Sequence, residues 1–356
     1  MSMISSRTAY DLVVLAGDVG GTNTNLALIG KKGGTFTLLF DRHYKTKEEP
    51  SLLEPLGRFL EEAKRAKPGL EPELCCVSGA GPVVDQRIQL TNAPWGIDAR
   101  QIEAAFSIPS RLVNDFTAVS YGVLLLDPAN PAQITRLPHL DGSLPEPQGG
   151  GVKAIVGAGT GLGVGYVLRV RDRIEAFPSE GGHITLPAYD DETRDFQRWL
   201  GARYGFVPGA EAGVSGQGIA QLFAFLAERA EASGEKLGRG AAAVLDASEP
   251  ERPALVAARS AQDPLCARAM ELFVSLYARV AADLTSTFLP SGGVYLAGGI
   301  AAKNEALFLG GSRFMASYER SYLPHIRSIL ARTPVMIVKD YSISLYGAAN
   351  AAAQLL

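Results

Sequence analysis

The residues best placed to do chemistry in this chain cluster at glycine turns. Gly17-Asp18-Val19-Gly20-Gly21-Thr22-Asn23 follows the apolar run 13–16 and precedes the apolar run 26–29. Both flanks read as buried strands, so the glycines occupy a strand-to-strand turn. Backbone N–H groups there can approach a ligand closely, and consecutive ones form an anion-binding concavity. Asp18 would repel a phosphate directly. It can instead hold a divalent cation, directly or through water, that phosphates also bind. Acid and glycines together point to a nucleotide kinase or ATPase.

A second hairpin repeats the pattern. The run 153–156 enters Gly157-Ala158-Gly159-Thr160-Gly161-Leu162-Gly163, and 165–170 leaves as a strand. The loop lacks the Gly-Lys-Ser/Thr of a Walker motif and the strict dinucleotide glycine spacing. Each turn alone is also what an ordinary tight turn looks like; two in successive halves suggest a duplicated nucleotide clasp. A third element, strand 293–297 followed by Gly298-Gly299-Ile300, opens onto a helix. Its glycine pair suits close approach of an adenosine or its ribose.

Between these turns lie Asn114-Asp115 at a strand end, Glu180-Gly181-Gly182-His183, and Glu211 in a glycine-flanked loop. Open α/β sheets place ligands at strand ends. No Arg or Lys cluster accompanies these groups, as an anionic substrate would require. Carboxylates, an amide and an imidazole match the donors and acceptors of vicinal hydroxyls. A neutral polyol or sugar is therefore the favoured substrate. The bland alternatives are a helix cap at 114–115, an exposed turn acid at Glu180, a core histidine at His183 and a loop carboxylate at Glu211.

The elements that must hold these groups follow from periodicity. Strands are expected at 13–16, 26–29, 36–40, 74–77 and 111–113, with helices at 52–66, from an Asp98–Gln101 capping box to 106, and at 116–126. Residues 127–151 turn rich in proline and glycine, marking a surface excursion or domain connection. A second sheet starts at Ala154. Helices then cover 191–204, 218–232 and 264–288, a strand 335–338, and an alanine-rich helix 345–356; residues 233–259 resist assignment. This order gives an α/β fold of two domains: a small one over 1–126, completed by the C-terminal stretch 340–356, and a large one over 127–339.

Composition narrows the classes. The chain has 356 residues, 47% hydrophobic and 20% charged, which suits a folded core under a polar surface. A net charge of −3 without a basic run disfavours nucleic-acid binding. No apolar stretch nears the roughly 20 residues of a membrane helix, and the first eleven residues lack signal-peptide character. The three cysteines, two adjacent as Cys75-Cys76, read as buried thiols, so a cytoplasmic protein without a membrane partner is expected.

Asp18 to Asn23, Thr91-Asn92, 112–119, 157–163, Glu180 to His183 and Ala297-Gly298-Gly299-Ile300 occur in an order that resembles the bacterial glucokinases of the hexokinase and actin-like ATPase superfamily. The resemblance spans about residues 13–350. It implies the actin-like ATPase (ribonuclease H-like) duplicated fold, two domains around a cleft, ATP with Mg²⁺ as donor, D-glucose as acceptor and a homodimer. Carried over by position, Asn92, Asn114, Asp115, Glu180, His183 and Glu211 would bind the sugar, with Asp115 the base at its 6-hydroxyl. Gly20, Gly21, Thr22, Asn23, Gly159, Thr160 and Gly161 would face the phosphates, Gly298 and Gly299 the adenosine, and Asp18 the Mg²⁺. A sister family of sugar kinases and repressors carries a cysteine-rich zinc motif after the same histidine. No cysteine lies between Cys76 and Cys266, so structural zinc is not expected, and Gly17 opens the first phosphate turn so early that no N-terminal DNA-binding extension is expected. The competing readings are a kinase for another hexose or phosphoryl donor, a catalytically silent sugar sensor, and an actin-like ATPase that moves a partner.

Overall fold

The computed structural model describes residues 9–355 apart from 91, 92, 94, 172 and 341, so Asn92 lies outside the described residues. The chain divides into two compact units, one of residues 1–127, 170–178 and 341–356, the other of 128–169 and 179–340.

The first unit contains β1 (Leu12–Val19), β2 (Asn23–Lys32), β3 (Thr35–Lys45), α1 (Leu53–Ala66), β4 (Leu74–Gly79), β5 (Val83–Val84), β6 (Arg87–Gln89), β7 (Gly96–Asp98), α2 (Ala99–Phe106), β8 (Ser110–Asn114) and α3 (Asp115–Val123). Its main sheet has the order β3-β2-β1-β4-β8, and β5-β6-β7 form a small separate sheet. β2 runs antiparallel to β1, whereas β4 and β8 run parallel to it. Alternation along the strands serves both faces. Val13, Leu15, Cys75 and Val77 pack with Leu56 and Phe59 of α1 and Ile102 of α2. Val14, Ala16, Cys76 and Val113 pack with Ala118 and Tyr121 of α3 on the other face. Covering both faces explains why these strands read as continuous apolar runs.

The second unit begins with β9 (Ile134–Arg136), β10 (Lys153–Ala158) and β11 (Leu162–Val170). After β12 (Arg173–Ser179), whose residues 173–178 count with the first unit, come α4 (Asp191–Tyr204), α5 (Gly216–Ala232), α6 (Arg239–Leu245), α7 (Arg252–Arg259) and α8 (Pro264–Phe288). It is completed by β13 (Val294–Ala297), α9 (Gly299–Lys303), α10 (Glu305–Leu309), α11 (Arg313–Tyr318), α12 (Pro324–Leu330) and β14 (Val335–Val338). Within it the strands run β11-β10-β13-β14-β9. β11 is antiparallel to β10, and β13 and β14 are parallel to it, so the hairpin-plus-parallel-strand pattern of β2-β1-β4-β8 occurs again. α8 is held at its start by Asp263, which accepts from Leu265 N at 3.0 Å and Cys266 N at 3.1 Å. Its Tyr277 donates to Val156 O at 2.8 Å and fixes the end of β10.

The closing helix, α13 (Ile343–Leu355), returns to the first unit, where Leu345, Ala348, Ala349, Ala351 and Ala352 cover the α3 face of its sheet. Small side chains let this helix lie close to the sheet. All three cysteines are free and buried, and burial pushes the Cys75 thiol up to about 12, which keeps it an inert core group. Among the described residues, no helix is long and apolar enough to cross a membrane.

Candidate active site

Strand register brings the candidate residues of the first unit together. Asp18 sits opposite Ser78, Val19 opposite Gly79, and Gly79 opposite Asn114. Three parallel strands therefore end level, and this is how residues 18 and 115, nearly a hundred positions apart, become electrostatic neighbours. The turn between β1 and β2 closes through Gly20 N donating to Asn23 O at 2.9 Å. Thr46 braces it: its Oγ1 donates to Gly20 O at 2.7 Å, and its N donates to Thr22 O at 3.0 Å. Nothing in its own neighbourhood marks Thr46 as part of the turn; only the β2–β3 hairpin brings it there.

Asp18 is held by two serines. Ser78 Oγ lies 3.2 Å from Asp18 Oδ1, and Ser344 Oγ donates to Asp18 Oδ2 at 2.9 Å. Among the described residues there is no group of three or more His, Cys, Asp or Glu that could cage a metal ion. A single oriented carboxylate fits Mg²⁺, which keeps several waters and is shared with substrate phosphates.

The helix cap belongs to Asn114, not to Asp115. Asn114 Oδ1 accepts from Phe116 N at 2.9 Å and Thr117 N at 3.3 Å, while its Nδ2 donates to Gly81 O at 3.2 Å. Asp115 is the first residue of α3 and accepts from Phe116 N at 2.8 Å. A helix N-terminus favours the carboxylate form. Here burial outweighs it: desolvation, then the nearby charge of Asp18, pushes the Asp115 carboxyl up to about 6. The folded state thus holds its proton more tightly than the unfolded chain, where an aspartate titrates near about 3.9. That contribution to stability is present below pH 4 and is lost as pH rises through 6. Asp115→Asn should therefore raise the unfolding free energy from urea denaturation at pH 8 by on the order of 1–3 kcal/mol, and by about half as much at pH 5. Paired denaturation curves at the two pH values check this; a variant less stable than wild type at pH 8 would contradict it.

In the second unit the turn between β10 and β11 is closed by Gly159 N donating to Gly161 O at 2.8 Å. Glu211, in the short helical turn 210–212, reaches this turn: its Oε2 accepts from Leu162 N at 2.8 Å. A Cβ at position 161 would lie 2.5 Å from the same oxygen, so a side chain there would displace the Glu211 carboxylate. Ala210 N donates to Ile184 O, and Thr185 bridges Gly209, which sets the Glu180–His183 segment beside Glu211. Glu180 and His183 have side chains 79% and 62% exposed and their polar atoms 3.7 Å apart, open to hydroxyl groups. Glu180, His183 and Glu211 are thus brought together in one unit, and Asn114 and Asp115 in the other.

Gly298 has φ +83°, and a Cβ there would meet Ala158 O at 2.4 Å, so only glycine lets β13 hand over to α9 beside the second turn. Gly159, Thr160 and Gly299 line one cavity of about 950 Å³. Its other walls include Gln217 and Gln221 of α5, Arg252 of α7, and Lys303 and Asn304 near α9. None of these was legible as a site residue: Gln221 falls in a stretch expected only as a helix, 218–232, and Arg252 lies in the unassigned stretch 233–259. Gln221 Oε1 is buried and unpartnered, an acceptor left over for a ligand N–H or O–H.

The glucokinase family model matches residues 15–355. A glucokinase of Nostoc sp. is 32% identical over 96% of this chain and 99% of its own length. The crystal structure of a glucokinase from an Antarctic psychrotroph superposes with a TM-score of 0.78 at 24% identity, covering 96% of this chain and 98% of that one. A ROK-family glucokinase from Streptomyces griseus, solved with glucose and AMPPNP, gives 0.62 at 21% identity over 96% and 99%.

Proposed function

Because the chain belongs to the glucokinase family, we propose that it transfers the γ-phosphoryl group of ATP to the 6-hydroxyl of D-glucose, giving glucose 6-phosphate and ADP. The observation that carries the reading is Asp115, a half-buried carboxylate at a strand end, beside Asp18 and tuned to about 6. At neutral pH it is ionised and basic enough to accept the hydroxyl proton as the O6–Pγ bond forms and the bond to the bridging oxygen of ADP breaks. Such transfers depend chiefly on positioning and electrostatic stabilisation. Gly20, Gly21, Thr22 and Asn23 are assigned to the phosphates in the first unit, and Gly159, Thr160 and Gly161 in the second. Gly298 and Gly299 would take the adenosine, with Gln221 Oε1 a candidate acceptor for its amino group. Asn114, Glu180, His183 and Glu211 would hold the sugar hydroxyls. Mg²⁺, held by the phosphates and by Asp18 through water, would offset the phosphate charge.

A homodimer acting in the cytoplasm in glucose catabolism is the accompanying proposal, supported by family membership and by three free thiols. Sedimentation at micromolar concentration checks the assembly. The test of function is a coupled assay offering glucose, fructose and mannose with ATP, ADP or polyphosphate. Sugar phosphate should form fastest with glucose and ATP, stop in EDTA and resume with Mg²⁺. ATP hydrolysis that ignores sugar and yields no sugar phosphate would overturn the reading.

A further inference from the structure

We propose that Glu211 positions the second phosphate turn, so that one carboxylate serves the sugar end and the nucleotide end of the site together. The proposal rests on the kinase reading above and assigns Glu211 a task within it.

Three contacts carry it, all inside the second unit. Glu211 Oε2 accepts from Leu162 N at 2.8 Å, where the turn passes into β11. Gly216 N donates to Gly159 O at 2.8 Å, holding the other side of the same turn. Ser215, fully buried, donates from Oγ to Glu211 O at 2.8 Å and caps α5 by accepting from Gly218 N at 2.9 Å. The segment 209–216 therefore clamps residues 159–162 from both sides and is itself anchored by a seventeen-residue helix. Glu211 Oε1 takes no hydrogen bond among the described residues and is left for a hydroxyl.

The physical consequence is a shared group. A turn that cradles phosphate must hold its N–H groups in one orientation before the ligand arrives. Leu162 N is withdrawn from that task because Glu211 claims it, and the carboxylate pins the turn in return. A hydrogen bond to a charged acceptor is stronger than a neutral one. Anything that moves Glu211 moves the turn, and a sugar hydroxyl on Oε1 would bias the same carboxylate.

The test reads nucleotide affinity without sugar, which a pure sugar ligand would not affect. Calorimetric titration of AMPPNP with Mg²⁺ into sugar-free protein should show about tenfold weaker binding for Glu211→Ala. Glu211→Gln, whose amide oxygen can still accept from Leu162 N but without the charge, should bind nucleotide with an affinity between those of wild type and Glu211→Ala while losing glucose affinity. Equal nucleotide affinity in wild type and Glu211→Ala would overturn the proposal. If wild type binds no nucleotide, it is the kinase reading that fails. Should the alanine variant not fold, hydrogen exchange in wild type decides: the Leu162 amide should be protected without ligand, and exchange at the open-loop rate would equally overturn it.

Discussion

Replacing Asp115 by asparagine is expected to lower kcat by about 10²–10⁴-fold, the usual worth of a positioned base. KM for glucose should change little. Asparagine keeps the shape and the acceptor for Phe116 N at the start of α3, and Asn114 still caps the helix. What disappears is the capacity to take a proton. The same substitution should stabilise the protein at pH 8, so a loss of turnover cannot be charged to unfolding. A loss of activity together with a gain of stability is the signature of a group placed for chemistry at the expense of the fold. Turnover within threefold of wild type, in protein of normal Tm, would remove Asp115 from the mechanism.

The second large effect is on the pH profile. A base acts only when ionised, and burial raises the Asp115 carboxyl to about 6. kcat/KM should therefore be flat above neutrality and fall by about tenfold per pH unit below about 6. The charge of Asp18 is one cause of the upward shift, after burial. Asp18→Asn removes that charge, so the acid limb should move to lower pH even though overall activity drops with the lost support for Mg²⁺. Only the midpoint is read, and activity is normalised to its own plateau. A limb that stays in place, or rises, would mean that another group sets it.

These expectations depend on geometry that was only partly visible in the chain itself. The turn at 17–23 and its repeat at 157–163 could be recognised as a pair because the same glycine pattern between apolar runs occurs in both halves of the chain. Both sit between antiparallel strands, as the spacing implied. Asn114 and Asp115 were legible as a pair at a strand end, yet their division of labour was not. Which residue caps α3 depends on backbone angles at 114 that the letters do not carry. Glu211 was read as a sugar ligand, with a loop carboxylate as the alternative; its bond to Leu162 N was not legible, because it joins positions 49 apart through the fold.

Other features were hidden for different reasons. Thr46, Ser78 and Ser344 reach the first turn and Asp18 only through pairing of β2 with β3, β1 with β4, and the return of α13. Small polar residues give no periodic signal. The stretch 233–259 contains α6 and α7, but its fully buried apolar residues are few, chiefly Ala241, Val244 and Val256, so no stripe could be read. Asp98 was expected to form a capping box with Gln101. It instead caps through Arg100 N at 2.9 Å while pairing with Arg87 at 2.7 Å, a cross-strand partner that competes for the carboxylate.

The most direct measurement of the central claim is a crystal structure with glucose and AMPPNP bound. An Asp115 carboxylate oxygen should lie about 2.6–3.2 Å from the sugar O6, with the phosphates over the turns at 20–23 and 159–161. Glucose bound with O6 facing a different base, and Asp115 turned into the protein, would contradict the account.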